Sequence, residues 1–293
     1  MKILRVFIFI LFCVPCFALE TQLMPEWYYF QKSLEAFKAN NSGEAIRQLK
    51  NLVDNYGESA ETLHLWARIY EEEGELDLAE RYYLESLERS GFRVPDEHYT
   101  VRYRLAAMYY QRRNYKRYED VLQEILTNQS MFTDARYARQ RDAYISTLLT
   151  QGFDSFALLY RIPFDFAQEA HSGLGILYCR MGRDRNALLH LAFSNLALVT
   201  VLTEELRRRD PGYTYTTLED LLQRASARPE LADLMQRTGF FRSLYFLSAL
   251  FAQGATREAR RVWSAAAEYA TGEWRNRSAS QLIEPRTEPL ITY

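Results

Sequence analysis

The sequence of 293 residues contains few cysteines, prolines and glycines. It has three cysteines, 8 prolines and 12 glycines. Cys13 and Cys16 lie in the apolar N-terminal segment, which leaves Cys179 alone in the rest of the chain. A single cysteine makes no intramolecular disulfide, so we expect packing alone to stabilise the folded part. Hydrophobic residues make up 48% and aromatic residues 14% of the chain, which excludes global disorder.

The sequence also lacks an excess of basic residues. It has 36 Lys and Arg against 38 Asp and Glu, a formal net charge of −2 at pH 7. Lys2 and Arg5 are the charged residues of positions 1–18, so the remainder has 36 − 2 = 34 basic residues and a net charge of −4. Proteins that bind nucleic acid usually carry a basic surplus. This balance therefore argues against nucleic acid as a partner.

Recognisable catalytic motifs are missing as well. The sequence has no P-loop and no GxSxG, HExxH or GxGxxG motif. Its four histidines do not have metal-ligand spacing: His64, His98, His171 and His190. We therefore predict no catalytic residues, no metal site and no cofactor. An active site assembled from distant residues remains an open alternative.

The N-terminal residues 1–18 have the pattern of a signal peptide. Lys2 and Arg5 precede an apolar run that is too short to span a bilayer comfortably. Cys16-Phe17-Ala18 resembles a small-x-small cleavage site, so we expect cleavage after Ala18. Lipidation at Cys16 and retention of the segment as an anchor are the alternatives. The pattern predicts an exported protein of the periplasm or cell envelope, with membrane association only through this segment.

A pattern of two short helices recurs with a period of 34 residues. Ala45 in GEAIRQLKNLV and Ala79 in DLAERYYLESL occupy equivalent places, and 79 − 45 = 34. This period, with two helices per unit, resembles the tetratricopeptide repeat family. The second unit matches the family's large, small and turn positions with Trp66, Ala67, Tyr70, Gly74, Ala79, Tyr83, Ser86 and Leu87. The fifth unit matches them with Leu174, Gly175, Tyr178, Gly182, Ala187, Leu191 and Ser194.

Four further units are more degenerate. The third unit has Tyr118 where the family has alanine, so its helices are expected to splay or to shift register. The fourth unit keeps Gly152 and Ala157. The first keeps Ser33, Ala45, Leu49 and Leu52, and the sixth keeps Gly254, Ala259, Trp263 and Ala266.

These observations predict an all-α fold, an α-solenoid of antiparallel helix pairs that forms a superhelix like that of the tetratricopeptide family. Small residues such as Ala67 and Ala79 would let neighbouring helices approach closely. We expect about five pairs in residues 19–195, and a helical insert plus a final pair in residues 196–275. Within the insert, new helices are expected to begin after Thr217, by its capping pattern, and at Pro229. Residues 276–293 are expected to form an extended or flexible tail.

The resemblance implies that the first helix of each pair lines a concave face. The residues expected to bind a partner there are Phe30, Phe37, His64, Arg68, Tyr103, Tyr110 and Asp142. Half of such side chains could instead pack against one another. The predicted function is a non-catalytic scaffold for protein–protein interaction that holds a peptide or helix of a partner. The alternatives are an accessory subunit that binds a small apolar ligand or a solute-binding protein, and an envelope enzyme.

Overall fold

The computed structural model describes residues 23–293 except 90, 252–253, 287, 289 and 293. In this part of the chain the protein is all-α, with 15 α-helices, one 3-10 turn at Ala135–Tyr137 and no strand. Neighbouring helices pack as pairs, which confirms the predicted fold class of a helical solenoid. The predicted signal peptide lies outside the described residues.

Most of the helices are connected to the next one by a short turn. The first eight are α1 Glu26–Lys38, α2 Ser42–Tyr56, α3 Ala60–Glu72, α4 Leu76–Glu88, α5 Glu97–Gln111, α6 Tyr115–Ile125, α7 Ser130–Thr133 and α8 Ala138–Leu159. The others are α9 Ala167–Arg180, α10 Asp184–Arg209, α11 Leu218–Ser226, α12 Pro229–Arg237, α13 Phe240–Phe251, α14 Thr256–Tyr269 and α15 Gly272–Ile283.

The chain divides into two compact units, one that ends at Tyr82 and one that begins at Tyr83. In the first unit, α1 and α2 are in close contact because a small residue on each helix permits it. Ala45 is completely buried, and the Ser33 hydroxyl donates a hydrogen bond to its carbonyl oxygen at 2.8 Å. Asn41 caps α2 by accepting a hydrogen bond from the backbone N–H of Glu44.

Two glycines occupy the turns that the repeat pattern predicts. Gly74 separates α3 from α4 with φ of 80°. Gly152 interrupts α8 with φ of 83° and ψ of 175°, so that α8 is two helices joined at a kink. L-residues with a Cβ atom rarely adopt such angles, which explains why glycine stands at both positions.

In the second unit, α9 and α10 form the most extensive helix pair. A Cβ atom added to Gly175 would lie 2.6 Å from Leu191 Cγ and 3.0 Å from the Leu191 backbone nitrogen. Ala187, one turn earlier on α10, is completely buried. The two small residues therefore set the close approach of these helices, as the repeat pattern predicts.

The insert and the final helix pair belong to the second unit. The predicted boundary at residues 195 and 196 lies within α10, which packs on α8, α11 and α13. Thr217 caps α11 and Pro229 begins α12, as predicted. α11 is tied to its neighbours by Arg261 of α14, whose guanidinium forms ion pairs with Asp154 at 3.0 Å, Glu219 at 2.7 Å and Glu258 at 2.7 Å.

The prediction of an extended tail from residue 276 is wrong for its first half. α15 continues to Ile283, and Gln281 is buried with its amide nitrogen 2.8 Å from the Tyr245 hydroxyl. Farther along, Ile291 donates a backbone hydrogen bond to the Arg180 carbonyl oxygen at 2.7 Å. Sequence periodicity gave no signal for α15 because few of its side chains are buried.

One helix among the described residues, α10, is long and apolar enough to cross a membrane. In its most apolar window 83% of the residues are buried inside the protein. Packing against the surrounding helices accounts for the apolar character of α10.

Candidate functional site

The second unit contains an open cavity of about 680 Å³, which we call the α5–α9 cavity. Its lining comes from α5, α6 and α9, from the end of α12 and from the start of α13. The segment before α9 also contributes to the lining. The lining residues that matter below are Tyr103, Ala107, Tyr110, Tyr118, Phe164, Phe166, Gln168, Glu169, Ser172, Gly173, Arg237 and Arg242.

Three residues on one face of α5 line the cavity. Tyr103, Ala107 and Tyr110 are spaced by four and three residues, which places their side chains on the same side of the helix. Tyr103 and Tyr110 are two of the residues predicted to bind a partner. The structure brings both of them to the cavity.

Tyr103 has a structural role in addition to its place in the wall. Its hydroxyl donates a hydrogen bond to the Phe166 carbonyl oxygen and accepts one from the Ala170 backbone nitrogen at 3.0 Å. In a regular α-helix the Ala170 N–H would donate directly to the Phe166 carbonyl oxygen. At the first turn of α9 the Tyr103 hydroxyl is inserted between these two groups. Burial raises the pKa of Tyr103 far above its usual value, and the nearby charge of Glu169 adds to this effect.

Tyr110 is held by its neighbours at the rim of the same wall. Its hydroxyl accepts a hydrogen bond from Arg180 Nη1 at 2.9 Å. Its ring lies 5.1 Å from that of Tyr118 and 5.7 Å from that of Tyr115, measured between centroids. These contacts fix an aromatic surface before any ligand arrives, which reduces the entropic cost of binding.

The bulky Tyr118 fits because α9 has no side chain at position 173. A Cβ atom on Gly173 would lie 2.5 Å from Tyr118 Oη and 2.8 Å from Leu122 Cδ1. The tyrosine that replaces the expected alanine in the third unit is thus accommodated by a glycine in a later helix. Burial raises the pKa of Tyr118, so its hydroxyl stays protonated and can donate a hydrogen bond.

Glu169 and Arg242, two residues of opposite charge, line the cavity without an ion-pair or hydrogen-bond partner among the described residues. Within the described residues, neither the Glu169 carboxylate nor the Arg242 guanidinium has a hydrogen bond or an ion pair. Arg237, by contrast, is paired with Asp233 at 2.6 Å. Burial raises the pKa of Glu169, whereas the charge of Arg242 lowers it in part.

A chain of buried polar side chains leads from the cavity into the core. Gln168 donates from Nε2 to the Ser194 hydroxyl at 2.9 Å, and Ser243 Oγ lies 3.3 Å from Ser194 Oγ. Asn195 Nδ2 then donates to Ser243 at 3.0 Å. This chain of hydrogen bonds joins α9 and α13 through α10. Because Glu169 is on α9 and Arg242 is on α13, it helps to fix the distance between the two helices that hold them.

The predicted binding residues of the first unit lie in a different environment. Phe37 is 3% exposed and belongs to its hydrophobic core, against which Phe30 packs. His64 is 6% exposed, and the Arg68 guanidinium lies 4.6 Å from the centre of the Phe37 ring. For Phe37 and His64 the expectation of an open groove is wrong, because both side chains are buried inside the first unit and are not exposed to a partner.

Asp142 is exposed on α8 and forms an ion pair with Arg185. It is not among the residues that line the α5–α9 cavity. The structure therefore does not bring Asp142 together with Tyr103 and Tyr110.

His171, which is buried, and His190, which is half-buried, form a pair that the sequence did not predict. Their Nδ1 atoms are 2.9 Å apart, and His171 Nε2 lies 2.8 Å from Gln129 Oε1. Since Oε1 only accepts, His171 carries its proton on Nε2 and accepts at Nδ1 from His190. Burial lowers the pKa of His190 to about 3, and that of His171 falls as well through burial and the neighbouring imidazole.

The single cysteine of the described chain is not an activated nucleophile. Burial raises the pKa of Cys179 to about 12, which keeps its thiol protonated at neutral pH. The described residues also contain no cluster of three or more histidine, cysteine or carboxylate side chains that could hold a metal ion.

The sequence did not predict the parts of the cavity that lie outside α5. Arg237 ends α12 and Arg242 lies in the first turn of α13. Phe164 lies just before α9 and Glu169 in its first turn. No local pattern marks these residues, because their proximity depends on how α12 and α13 fold back. No protein-family model matches the sequence, and none of the curated proteins is similar to it.

Proposed function

We propose that the protein is a non-catalytic scaffold of the cell envelope that holds a segment of a partner protein in the α5–α9 cavity. The observation that carries this proposal is the open cavity of about 680 Å³ with an aromatic wall on α5. Ala107, Phe164, Glu169 and Arg237 are exposed around it, so a segment of a larger chain can enter and leave.

The composition of the walls supports a protein ligand. Tyrosine and arginine dominate the energetics of many protein interfaces, and Tyr110, Tyr118 and Arg242 all lie at the cavity. A small apolar ligand is less suited to it, because enclosing Glu169 and Arg242 without partners costs free energy. A small molecule is also usually buried for most of its surface, whereas this cavity is open.

We further infer that the helix pairs are tetratricopeptide-like units. The small residues of that pattern support this inference, since Ala45, Ala79 and Ala187 are all completely buried. Export is inferred from residues 1–18 alone, by their charge and apolar pattern.

Site-specific crosslinking in the native cell envelope tests the proposal. A photoreactive side chain at position 107 would point at the bound segment, whereas one at the exposed position 116 of α6 would not. We expect a discrete crosslinked partner from position 107, and its loss when Tyr110→Ala is added. Equal crosslinking from both positions, or a product that persists with Tyr110→Ala, would contradict the proposal.

A further inference from the structure

The α5–α9 cavity places one positive and one negative side chain at its surface without internal partners. Arg242 is on the first turn of α13, and Glu169 is on the first turn of α9. Ion pairs are common elsewhere in the second unit, for example between Arg237 and Asp233 next to the cavity. The Glu169 side chain is exposed and that of Arg242 is half-buried, so both are accessible, and a ligand with opposite charges can pair with both of them.

The two groups are close enough to influence each other but too far apart to bond. Arg242 lowers the pKa of both Glu169 and Tyr118 in part, although burial dominates at each. No ion pair or hydrogen bond joins Glu169 to Arg242 in the described part of the chain. Both side chains line the cavity and are therefore available to groups of a ligand.

We propose that the partner segment carries an acidic side chain that binds Arg242 and a basic side chain that binds Glu169. This inference rests on the proposed function, because it defines the chemistry of the segment that occupies the same cavity. A planar guanidinium can bind a carboxylate through two parallel hydrogen bonds, which gives direction as well as affinity. Opposite charges at two fixed points also set the direction in which the segment lies.

The hydroxyl of Tyr118 provides a third polar contact for this segment. Its raised pKa keeps it a donor, and within the described residues it has no hydrogen-bonding partner. The aromatic faces of Tyr110 and Phe164 are left for an apolar side chain. The preferred ligand is thus a peptide with an acidic, an apolar and a basic residue, rather than a uniformly charged one.

Selection from a library of random short peptides tests the inference. The purified full chain and its charge-swapped variant, Glu169→Arg with Arg242→Glu, are each used to enrich peptides that are then sequenced. We expect the wild-type protein to enrich peptides with one acidic and one basic residue at a constant spacing, and the swapped variant to enrich the reverse order. Arg242→Glu alone should weaken a selected peptide about tenfold or more.

The outcomes separate the charge inference from the proposed function. Uncharged peptides, or the same peptides for both proteins, would overturn the charge inference. If the binding of these peptides is still lost with Tyr110→Ala and with Ala107→Trp, which narrows the cavity, the proposed function stands. Peptides that bind both of these variants normally, or no enrichment at all, would overturn the proposed function and the charge inference with it.

Discussion

The hydroxyl of Tyr118 occupies the space that a side chain on Gly173 would need. The missing Cβ would lie 2.5 Å from Tyr118 Oη. A tyrosine at a position where the repeat pattern has alanine is thus accommodated by a glycine three helices farther along, on α9, without a break in either helix. Because Tyr118 stands where the pattern has alanine, it also brings a protonated hydroxyl to the wall of the cavity.

We expect Gly173→Ala and Gly175→Ala to have different effects, because the two residues are two positions apart on α9 and so lie on opposite faces of the helix. At position 173 the obstructing atoms are the ends of the Tyr118 and Leu122 side chains, and Tyr118 can turn into the cavity. Ligand binding should therefore fall while the free energy of unfolding changes by about 1 kcal/mol or less. At position 175 the Leu191 backbone nitrogen is in the way, so we expect a loss of about 2–3 kcal/mol.

Gly43→Ala in α2 is the control for both variants. Nothing but Asn41 Oδ1 at 3.9 Å lies near its missing Cβ, so the substitution should be neutral or stabilise by up to about 1 kcal/mol. Denaturant unfolding and peptide binding are the measurements. Equal destabilisation at positions 173 and 175 would show that Tyr118 cannot move.

Tyr103→Phe should destabilise the second unit more than Tyr110→Phe. The first change removes the hydroxyl that bonds both Phe166 and Ala170, whereas the second removes one hydrogen bond from Arg180. We expect Tyr103→Phe to lower the free energy of unfolding by about 1–3 kcal/mol, and Tyr110→Phe to lower it by less than about 1 kcal/mol.

Hydrogen exchange gives a local readout of the same prediction. In Tyr103→Phe the amide of Ala170 should exchange faster, because its acceptor is the Tyr103 hydroxyl. In Tyr110→Phe it should be unchanged. If Tyr103→Phe leaves both stability and this amide unaffected, Phe166 and Ala170 re-pair directly and the tyrosine is dispensable for the fold.

Stability should fall as the pH falls below about 6.5. In the unfolded chain His171 and His190 have pKa values near 6.5, whereas in the folded protein that of His190 is about 3 and that of His171 is also lowered. Between these values the unfolded state binds more protons, so each histidine contributes a loss of up to about 1.4 kcal/mol per pH unit.

The variant His190→Gln separates this effect from other titrations. It should reduce the slope of the free energy of unfolding against pH in the window from about 6.5 to 4, since one of the two groups is gone. An identical slope in His190→Gln and the wild-type protein would mean that the pair is not buried as described.

Arg261→Met should be among the most destabilising charge changes in the second unit. It leaves Asp154, Glu219 and Glu258 together without their common cation. Removal of one partner of a buried ion pair costs about 3–5 kcal/mol, and the partial exposure of this cluster places the expectation at about 3 kcal/mol. The loss should shrink at low pH, where the carboxylates become protonated.

Lys116→Met provides the comparison for the Arg261 variant. Lys116 is paired with the exposed Asp120 one turn away, and such pairs contribute about 0.3–0.5 kcal/mol. Thermal unfolding over a range of pH measures both. A loss at Arg261 as small as that at Lys116, or one that does not depend on pH, would show that the cluster does not hold α8, α11 and α14 together.

The sequence by itself determined the local structure of the helices. The positions of Ala45, Ala79 and Ala187, the glycine turns at Gly74 and Gly152, and the starts of α11 and α12 were all predictable. Each of these depends on neighbours within one or two turns of helix, where spacing, capping and the freedom of glycine act directly. The choice of Tyr103 and Tyr110 on α5 was implied by the resemblance to the repeat family.

Only the tertiary structure decided what those helices surround. Periodicity cannot distinguish a face that lines a cavity, as for Tyr110, from one that is buried in a core, as for Phe37. The proximity of Glu169 to Arg242, and the room that Gly173 leaves for Tyr118, arise between residues far apart in the chain. Such contacts depend on how the helices pack, and packing is set by the volumes of all the side chains together rather than by any local pattern.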